Sequence, residues 1–228
     1  MEIKVLSSIA TREAYLELVP QFECGTGHTV VTAWAGTTAI MQRMATGGES
    51  HDIVVISSSE MDELIRQGKI VSGSRVDLAQ SGIGIAVRAG EPRPDVSTAA
   101  GLKQALLAAK TVGYTSGPSG VYMAGLIDRM GIGAQVKPKH RGVPSGGTIG
   151  TIVASGEVDI GFQQVSELVH IPGVDYIGPL PPDVQCVTIF SSGLQTGAAQ
   201  PDAAKALVAF LTTPAAKAVM RKHGLETT

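Results

Sequence analysis

Aromatic residues make up only 4% of this chain and charged residues only 17%, where a quarter is usual for the latter. Lys+Arg 18 against Asp+Glu 20 gives a net charge of -2, so there is no basic excess to neutralise a nucleic-acid backbone or an anionic membrane surface. Neither nucleic acid nor a membrane is expected as a partner, and no apolar run approaches the roughly 18 residues needed to cross a bilayer. Cysteine is scarce too. Cys24 and Cys186 show no CxxC or Cys/His ligand spacing, so no metal is expected, and whether the two pair stays open. HExxH, GxSxG and a paired carboxylate array are all missing, as are the GK[ST] of a P-loop and a dinucleotide GxGxxG; no cofactor is expected. The opening Met-Glu-Ile-Lys lacks a basic n-region, an apolar core and a cleavage site. That places the protein in the cytoplasm if Met1 is the native start, and in the periplasm if a leader precedes it.

What is present is apolar material. Hydrophobic residues are 43% of 228, enough for one or two cores and incompatible with disorder. Gly 28 and Pro 12 punctuate the apolar runs. Short β-branched runs alternate with longer helical ones, the pattern of βα units around parallel sheets. Strands are expected at 3–8, 28–36, 52–58, 81–90, 111–116, 136–142, 158–164 and 184–193. Helices are expected at 11–23, from Thr37 to about 45, from near Ser59, and at 98–109, 119–130 and 148–155, with two more closing the chain. Ser59 and Asp62 have capping-box spacing, and Gly25 and Gly27 end the first helix. In the last helix Thr213 reads as N-cap, with Pro214 at the first helical position.

The length is slightly large for one core, and two strand-like crossings bracket a middle segment. The expected class is α/β, in two α/β domains, with 1–82 plus 190–228 forming a discontinuous first domain and 83–189 an inserted second.

The chemistry lies in a repeated feature: strands end in hydroxyl residues or glycines where helices begin. Ser7 and Ser8, Thr37 and Thr38, Ser57 and Ser58, Ser116 and Ser119 around GPSG, and Ser145 and Thr148 in PSGGT all follow it. Each hydroxyl alone reads as an ordinary N-cap. Together, with helix N-termini at the carboxyl ends of strands, they describe an anion site that needs little lysine or arginine. Gln164, ending a strand beside Gln163, adds an amide. His140 in KPKHRG is the histidine best placed to carry a proton, with Arg141 and Lys139 as nearby charge. Trp34 reads as a half-buried strand-end aromatic, and His28 and His223 as solvated.

The segments IKVLSSIATREAYLELVPQFE, WAGTTAIMQRMATGG, HDIVVISSSEMDELIRQGKI and KALVAFLTTPAAKAVMRKHGL, in this order and spacing, resemble the type II periplasmic solute-binding proteins, in the branch that holds molybdate-binding proteins of ABC transporters. The resemblance implies the periplasmic-binding-protein type II architecture, with two α/β domains joined by two hinge strands and a ligand cleft between them, a small anionic ligand gripped by helix N-termini, an ABC-transporter permease as partner, and a monomer. It places a family serine at Ala10, a second at Thr37, a cleft backbone amide in the turn holding Ser119, and a tyrosine near Gln164. The departures at Ala10 and Gln164 point away from molybdate and toward an organic di- or tricarboxylate or another oxyanion, with Ser8 or Thr11 taking the missing role.

Some proteins of this branch are aconitate isomerases, and that resemblance implies a second reading: an enzyme moving a proton on a small tricarboxylate, with His140 in proton transfer and Arg141 or Arg12 adding charge. A third reading is a cytoplasmic ligand sensor.

Overall fold

The computed structural model describes residues 1–143 and 147–227, so Ser145 lies outside the described residues. The chain divides into two compact units, Met1–Gln80 with Ile189–Thr228, and Ser81–Thr188.

The first unit is built on strands β1 (Glu2–Ser8), β2 (Thr29–Ala35) and β3 (Ile53–Ser57). β1 lies between the other two and is parallel to both. Both faces of this sheet are covered, so β3 is a continuous apolar run rather than an alternating one. Ile3, Val5, Ile53 and Val55 face one core with helices α1 (Arg12–Thr26), α9 (Pro201–Leu211) and α10 (Pro214–Lys222). Leu6, Val54 and Ile56 face the other, with α2 (Thr37–Thr46) and α3 (Ser58–Arg66). Among the described residues no single helix is long and apolar enough to cross a membrane.

The second unit holds most of β4 (Val76–Arg88), then α4 (Ala99–Ala108), β5 (Val112–Tyr114), α5 (Pro118–Arg129), α6 (Gly133–Val136), β6 (His140–Arg141), α7 (Ile149–Ala154), β7 (Ile160–Gln164), α8 (Val165–Leu168) and β8 (Val174–Pro179). Its strands run β8-β4-β7-β5-β6. β5, β6 and β7 are mutually parallel, and β4 is antiparallel to both β7 and β8. The chain leaves the first unit within β4 and returns within β9 (Val187–Leu194).

Several expectations need correction. The sheets are mixed, since β9 runs antiparallel to β3. The strand expected at 136–142 shrinks to His140–Arg141, because Pro138 sits in a 3-10 turn at Lys137–Lys139 that follows directly from α6; proline supplies no ladder N–H. β8, with its two glycine and proline punctuations, was not expected as a strand at all. The N-cap of α3 is Ser57, two residues before Ser59; its hydroxyl donates to the Glu60 carboxylate at 2.5 Å rather than accepting from a backbone N–H, and Asp62 pairs instead with Arg75. Gly25 lies inside α1, and only Gly27, at φ 70°, makes the left-handed C-cap. Thr213 does cap α10, accepting from the Ala216 N–H at 3.2 Å.

One buried carboxylate joins distant parts of the first unit. Asp52, 2% exposed, accepts from the backbone N–H of Lys4 at 2.8 Å and of Gln200 at 2.7 Å. Asp52→Ala leaves both donors without an acceptor, at about 1–3 kcal/mol each. The expected result is a loss of roughly 2–5 kcal/mol by urea denaturation, with Asp52→Asn in between.

Candidate functional site

In the first unit Ser8 pairs in register with Ala35, and Ser7 with both Trp34 and Val55. The carboxyl ends of β1, β2 and β3 therefore share one sheet edge, and the chain turns there into α1, α2 and α3. The hydroxyls along this edge are not equivalent, because each carries a single proton. Thr11 donates its proton to the carbonyl of Ser8 at 3.0 Å. Ser7 and Thr11 are 2.9 Å apart, so Ser7 must be the donor of that pair, and both protons are engaged inside the turn. Ser8 only accepts, from the Ala10 N–H at 3.4 Å, and keeps its own proton. Thr37, at the first position of α2, is buried, Thr38 is exposed and Ser58 half-buried. None of these three makes a side-chain hydrogen bond among the described residues. Ala10 is buried against the core and supplies only backbone.

The second unit repeats the arrangement. Tyr114 pairs with Phe162 across β5 and β7, and Gly113 with Arg141 across β5 and β6, so three parallel strands end together. Past β5 the chain closes a tight turn in which the Gly117 N–H donates to Thr115 at 3.2 Å and α5 begins at Pro118. Ser116 is exposed and Ser119 is 4% exposed, and neither hydroxyl is engaged among the described residues. Thr148 is different. Thr151 donates to the Thr148 carbonyl at 2.9 Å, so in the 2.8 Å contact between the two hydroxyls Thr148 is the donor and has no proton left.

Unengaged hydroxyl protons and free helix N–H groups at strand carboxyl ends are donors waiting for an acceptor-rich ligand. A family model described as bacterial extracellular solute-binding protein matches residues 3–226. The chain belongs to this family. An aconitate isomerase of a Pseudomonas species is 36% identical over 230 aligned residues, covering 98% of this chain and 87% of that protein. Among solved structures, the periplasmic molybdate-binding protein of Azotobacter vinelandii aligns with a TM-score of 0.82 at 18% identity, covering 99% of each chain. The sulfate-binding protein SubI of Mycobacterium tuberculosis aligns with a TM-score of 0.74 at 17% identity, covering 99% of this chain and 86% of that one. These likenesses establish the periplasmic-binding-protein fold.

Other residues of this solute-binding protein singled out in its sequence have partners inside their own unit. One orientation of the Gln164 amide satisfies all its neighbours: nitrogen donates to the carbonyls of Ser81 at 2.9 Å and Gly82 at 3.3 Å, and oxygen accepts from Thr188 at 2.9 Å. Its role is to hold the end of β7 to β4. His140 stacks on Tyr114 with centroids 3.9 Å apart, and its Nε2 lies 3.0 Å from the Tyr114 carbonyl. A carbonyl only accepts, so Nε2 carries the proton and Nδ1 is the basic nitrogen. Burial raises the Tyr114 pKa above that of an ordinary phenol. Arg141 is exposed and donates to the His140 carbonyl at 2.9 Å, and Arg12 is exposed beside Glu13. His223, expected in solvent, is instead tucked against Glu17 at 2.8 Å.

Sequence reasoning passed over three groups. The Tyr15 hydroxyl is fully buried with no hydrogen-bond partner among the described residues, its ring edge-on to Trp34 at 5.8 Å, and burial drives its pKa up. The Ser166 hydroxyl is likewise buried and has no hydrogen-bond partner among the described residues. Glu167 is a carboxyl whose pKa burial pushes up to about 7, against a smaller opposing effect of the hydrogen bond from Gln163. The spacing of Gln163 and Glu167, four residues apart across a strand-to-helix junction, was the available signal.

Proposed function

We propose that this solute-binding protein binds a small organic polycarboxylate, with the hydroxyls of Ser8, Thr37 and Thr38 and the start of α2 as the candidate donors of the first unit, and those of Ser116 and Ser119 and the start of α5 as the candidate donors of the second. The observation carrying this reading is the set of hydroxyl protons left unengaged at the strand carboxyl ends of both units. A ligand with several carboxylates offers many acceptor oxygens and suits a donor-rich site. In this reading the protein works in the periplasm and delivers its ligand to an ABC-transporter permease.

A second reading is favoured by one comparison, the 36% identity with an aconitate isomerase. On that reading the bound tricarboxylate is also converted, by removal of a proton from one allylic carbon and its return to the other, and Nδ1 of His140 is the available base.

A thermal-shift series with citrate, isocitrate, cis- and trans-aconitate, molybdate, sulfate and phosphate tests both, because selective stabilisation grows with ligand concentration over its dissociation constant. A polycarboxylate that stabilises and is returned unchanged by NMR supports a receptor, and conversion of one aconitate to the other supports the isomerase. Stabilisation by molybdate alone overturns the carboxylate reading. Within the site, Thr37→Val is expected to weaken binding about 10- to 100-fold, the range for losing a hydrogen bond to a charged group. Ser7→Ala, whose proton is already engaged, is expected to change affinity less than about threefold. Equal losses at both positions would show that the proton assignment does not govern recognition.

A further inference from the structure

Glu167 stands apart from the other acidic residues of the second unit. It lies in α8, three residues past the carboxyl end of β7. Its Oε2 accepts from Nε2 of Gln163 at 2.5 Å, and Oε1 of the same amide accepts from the Ile149 N–H at 2.8 Å. Gln163 is 3% exposed, so its amide is held from both ends and cannot turn away to solvent. The Glu167 carboxyl thus connects through one rigid amide to the segment that follows Thr148. Asp159, in contrast, accepts from the backbone N–H groups of Lys110 and Thr111, and Asp128 is paired with Lys137.

The elements around Glu167 supply little compensating charge. α7 and β7 contain no titratable side chain. β8 brings Asp175, paired with Arg93 at 3.0 Å, and Tyr176, whose pKa burial raises. β4, on which Val165 and Leu168 pack at Gly84, carries only Arg88 as a charged residue within this unit. His170 follows two residues past α8. The influences on the carboxyl itself are burial, the larger, and the Gln163 hydrogen bond.

We infer that Glu167 is a proton-binding site coupled to the anion site: the chain takes up a proton at Glu167 when a polycarboxylate binds. This deepens the anion-binding reading and rests on it. An ionised carboxylate at the same strand-end edge as Ser116 and Ser119 repels an incoming anion, in surroundings that screen charge less than water does. Protonation removes that repulsion, and by linkage a bound anion favours the protonated form to the same degree. The amide of Gln163 accommodates both states, since a neutral carboxyl keeps an oxygen that accepts from Nε2. Burial places the titration near neutrality, where modest changes in pH alter the population.

Calorimetric titration with citrate between pH 6 and pH 8.5 tests the inference, repeated at pH 7 in two buffers of different ionisation enthalpy. The wild-type chain is expected to bind about fivefold or more weakly at the alkaline end, and the buffer pair to report net proton uptake. Glu167→Gln is isosteric and keeps an acceptor for Gln163. It is expected to hold the acid-side affinity throughout and to lose most of the proton uptake. Citrate's own ionisation is common to both proteins and cancels in the comparison. Equal pH dependence in the two proteins, or proton release on binding, overturns the coupling while leaving anion binding intact. The absence of binding by every polycarboxylate at every pH instead removes the anion-site reading, and the coupling with it. If Glu167→Gln folds poorly, Glu167→Ala supplies the same comparison with citrate's ionisation again cancelled, so the inference stays open to refutation.

Discussion

Gly120→Ala is expected to cost about 3 kcal/mol or more and to displace the turn that carries Ser116 and Ser119. A Cβ at this position of α5 would sit 1.6 Å from the carbonyl oxygen of Thr115, 2.5 Å from its carbonyl carbon and 2.9 Å from its nitrogen. All three neighbours are backbone, so no side chain can rotate aside; either α5 or the end of β5 must move. Elsewhere the crowding is softer. A Cβ at Gly161 meets Ile149 and Val153 methyls at 2.6 Å, and one at Gly150 meets Ile171 at 2.7 Å. The control lies in the same helix. At Gly125 a Cβ would meet only the tip of Arg129 at 3.3 Å, so Gly125→Ala is expected to gain roughly 0.5–1 kcal/mol from helix propensity. Chemical denaturation read by circular dichroism compares the two, and a Gly120→Ala protein as stable as the Gly125→Ala protein would refute the close approach. Because the turn holds two unengaged hydroxyls, Gly120→Ala should also weaken any polycarboxylate bound through them. The glycine that ends GPSG thus serves a steric purpose, since Gly120 is not among the glycines with positive φ.

How far the sequence could be read depended on what each signal physically encodes. Strand and helix positions in the first unit followed from apolar periodicity because β1 and β3 are buried on both faces, which makes apolar runs long and unambiguous. The region of α6 and β6 failed for the opposite reason. A two-residue strand carries no periodicity, and Val136 belongs to a one-turn helix in the core. Sheet direction was also out of reach: nothing local in Val187–Leu194 distinguishes a strand antiparallel to β3 from a parallel one. At the candidate site, the hydroxyl-at-strand-end pattern picked out hydroxyls where strands give way to helices, but not their proton inventory. Ser7, Ser8 and Thr11 look alike in sequence, and only the 2.9 Å and 3.0 Å contacts separate the two whose protons are engaged from the one whose proton is not. Gln163 and Gln164 are adjacent and point to opposite partners, one to Ile149 and Glu167 and the other to β4, as alternation along a strand requires.

The half-buried Glu167 should also leave its mark on stability in the absence of any ligand. Its pKa is raised from 4.5 to about 7 in the folded chain, chiefly by burial. Below pH 4.5 the group is protonated folded and unfolded, and contributes no pH dependence. Between 4.5 and about 7 the folded chain keeps the proton that the unfolded chain has lost, so stability falls as pH rises, by up to about 1.4 kcal/mol per pH unit. Above that window the folded chain carries an ionised, partly desolvated carboxylate, and the penalty reaches its plateau. The shift corresponds to roughly 3 kcal/mol at most, and Glu167 keeps a partly exposed surface that reduces it. Glu167→Gln has no proton to lose. Its thermal midpoint should match that of the wild-type chain near pH 5 and exceed it at pH 8 by about 5 °C, taking a few degrees per kcal/mol for a chain of this size. Asp77 adds an opposite slope: its pKa is lowered, chiefly by the Arg75 hydrogen bond, so its contribution is present above the ordinary carboxyl range and lost on acidification. That slope is shared by both proteins and drops out of their difference. Parallel curves for the two proteins from pH 5 to pH 8 would mean that the Glu167 carboxylate stays ionised and solvated in the folded state, and would remove the physical basis for proton-coupled binding as well.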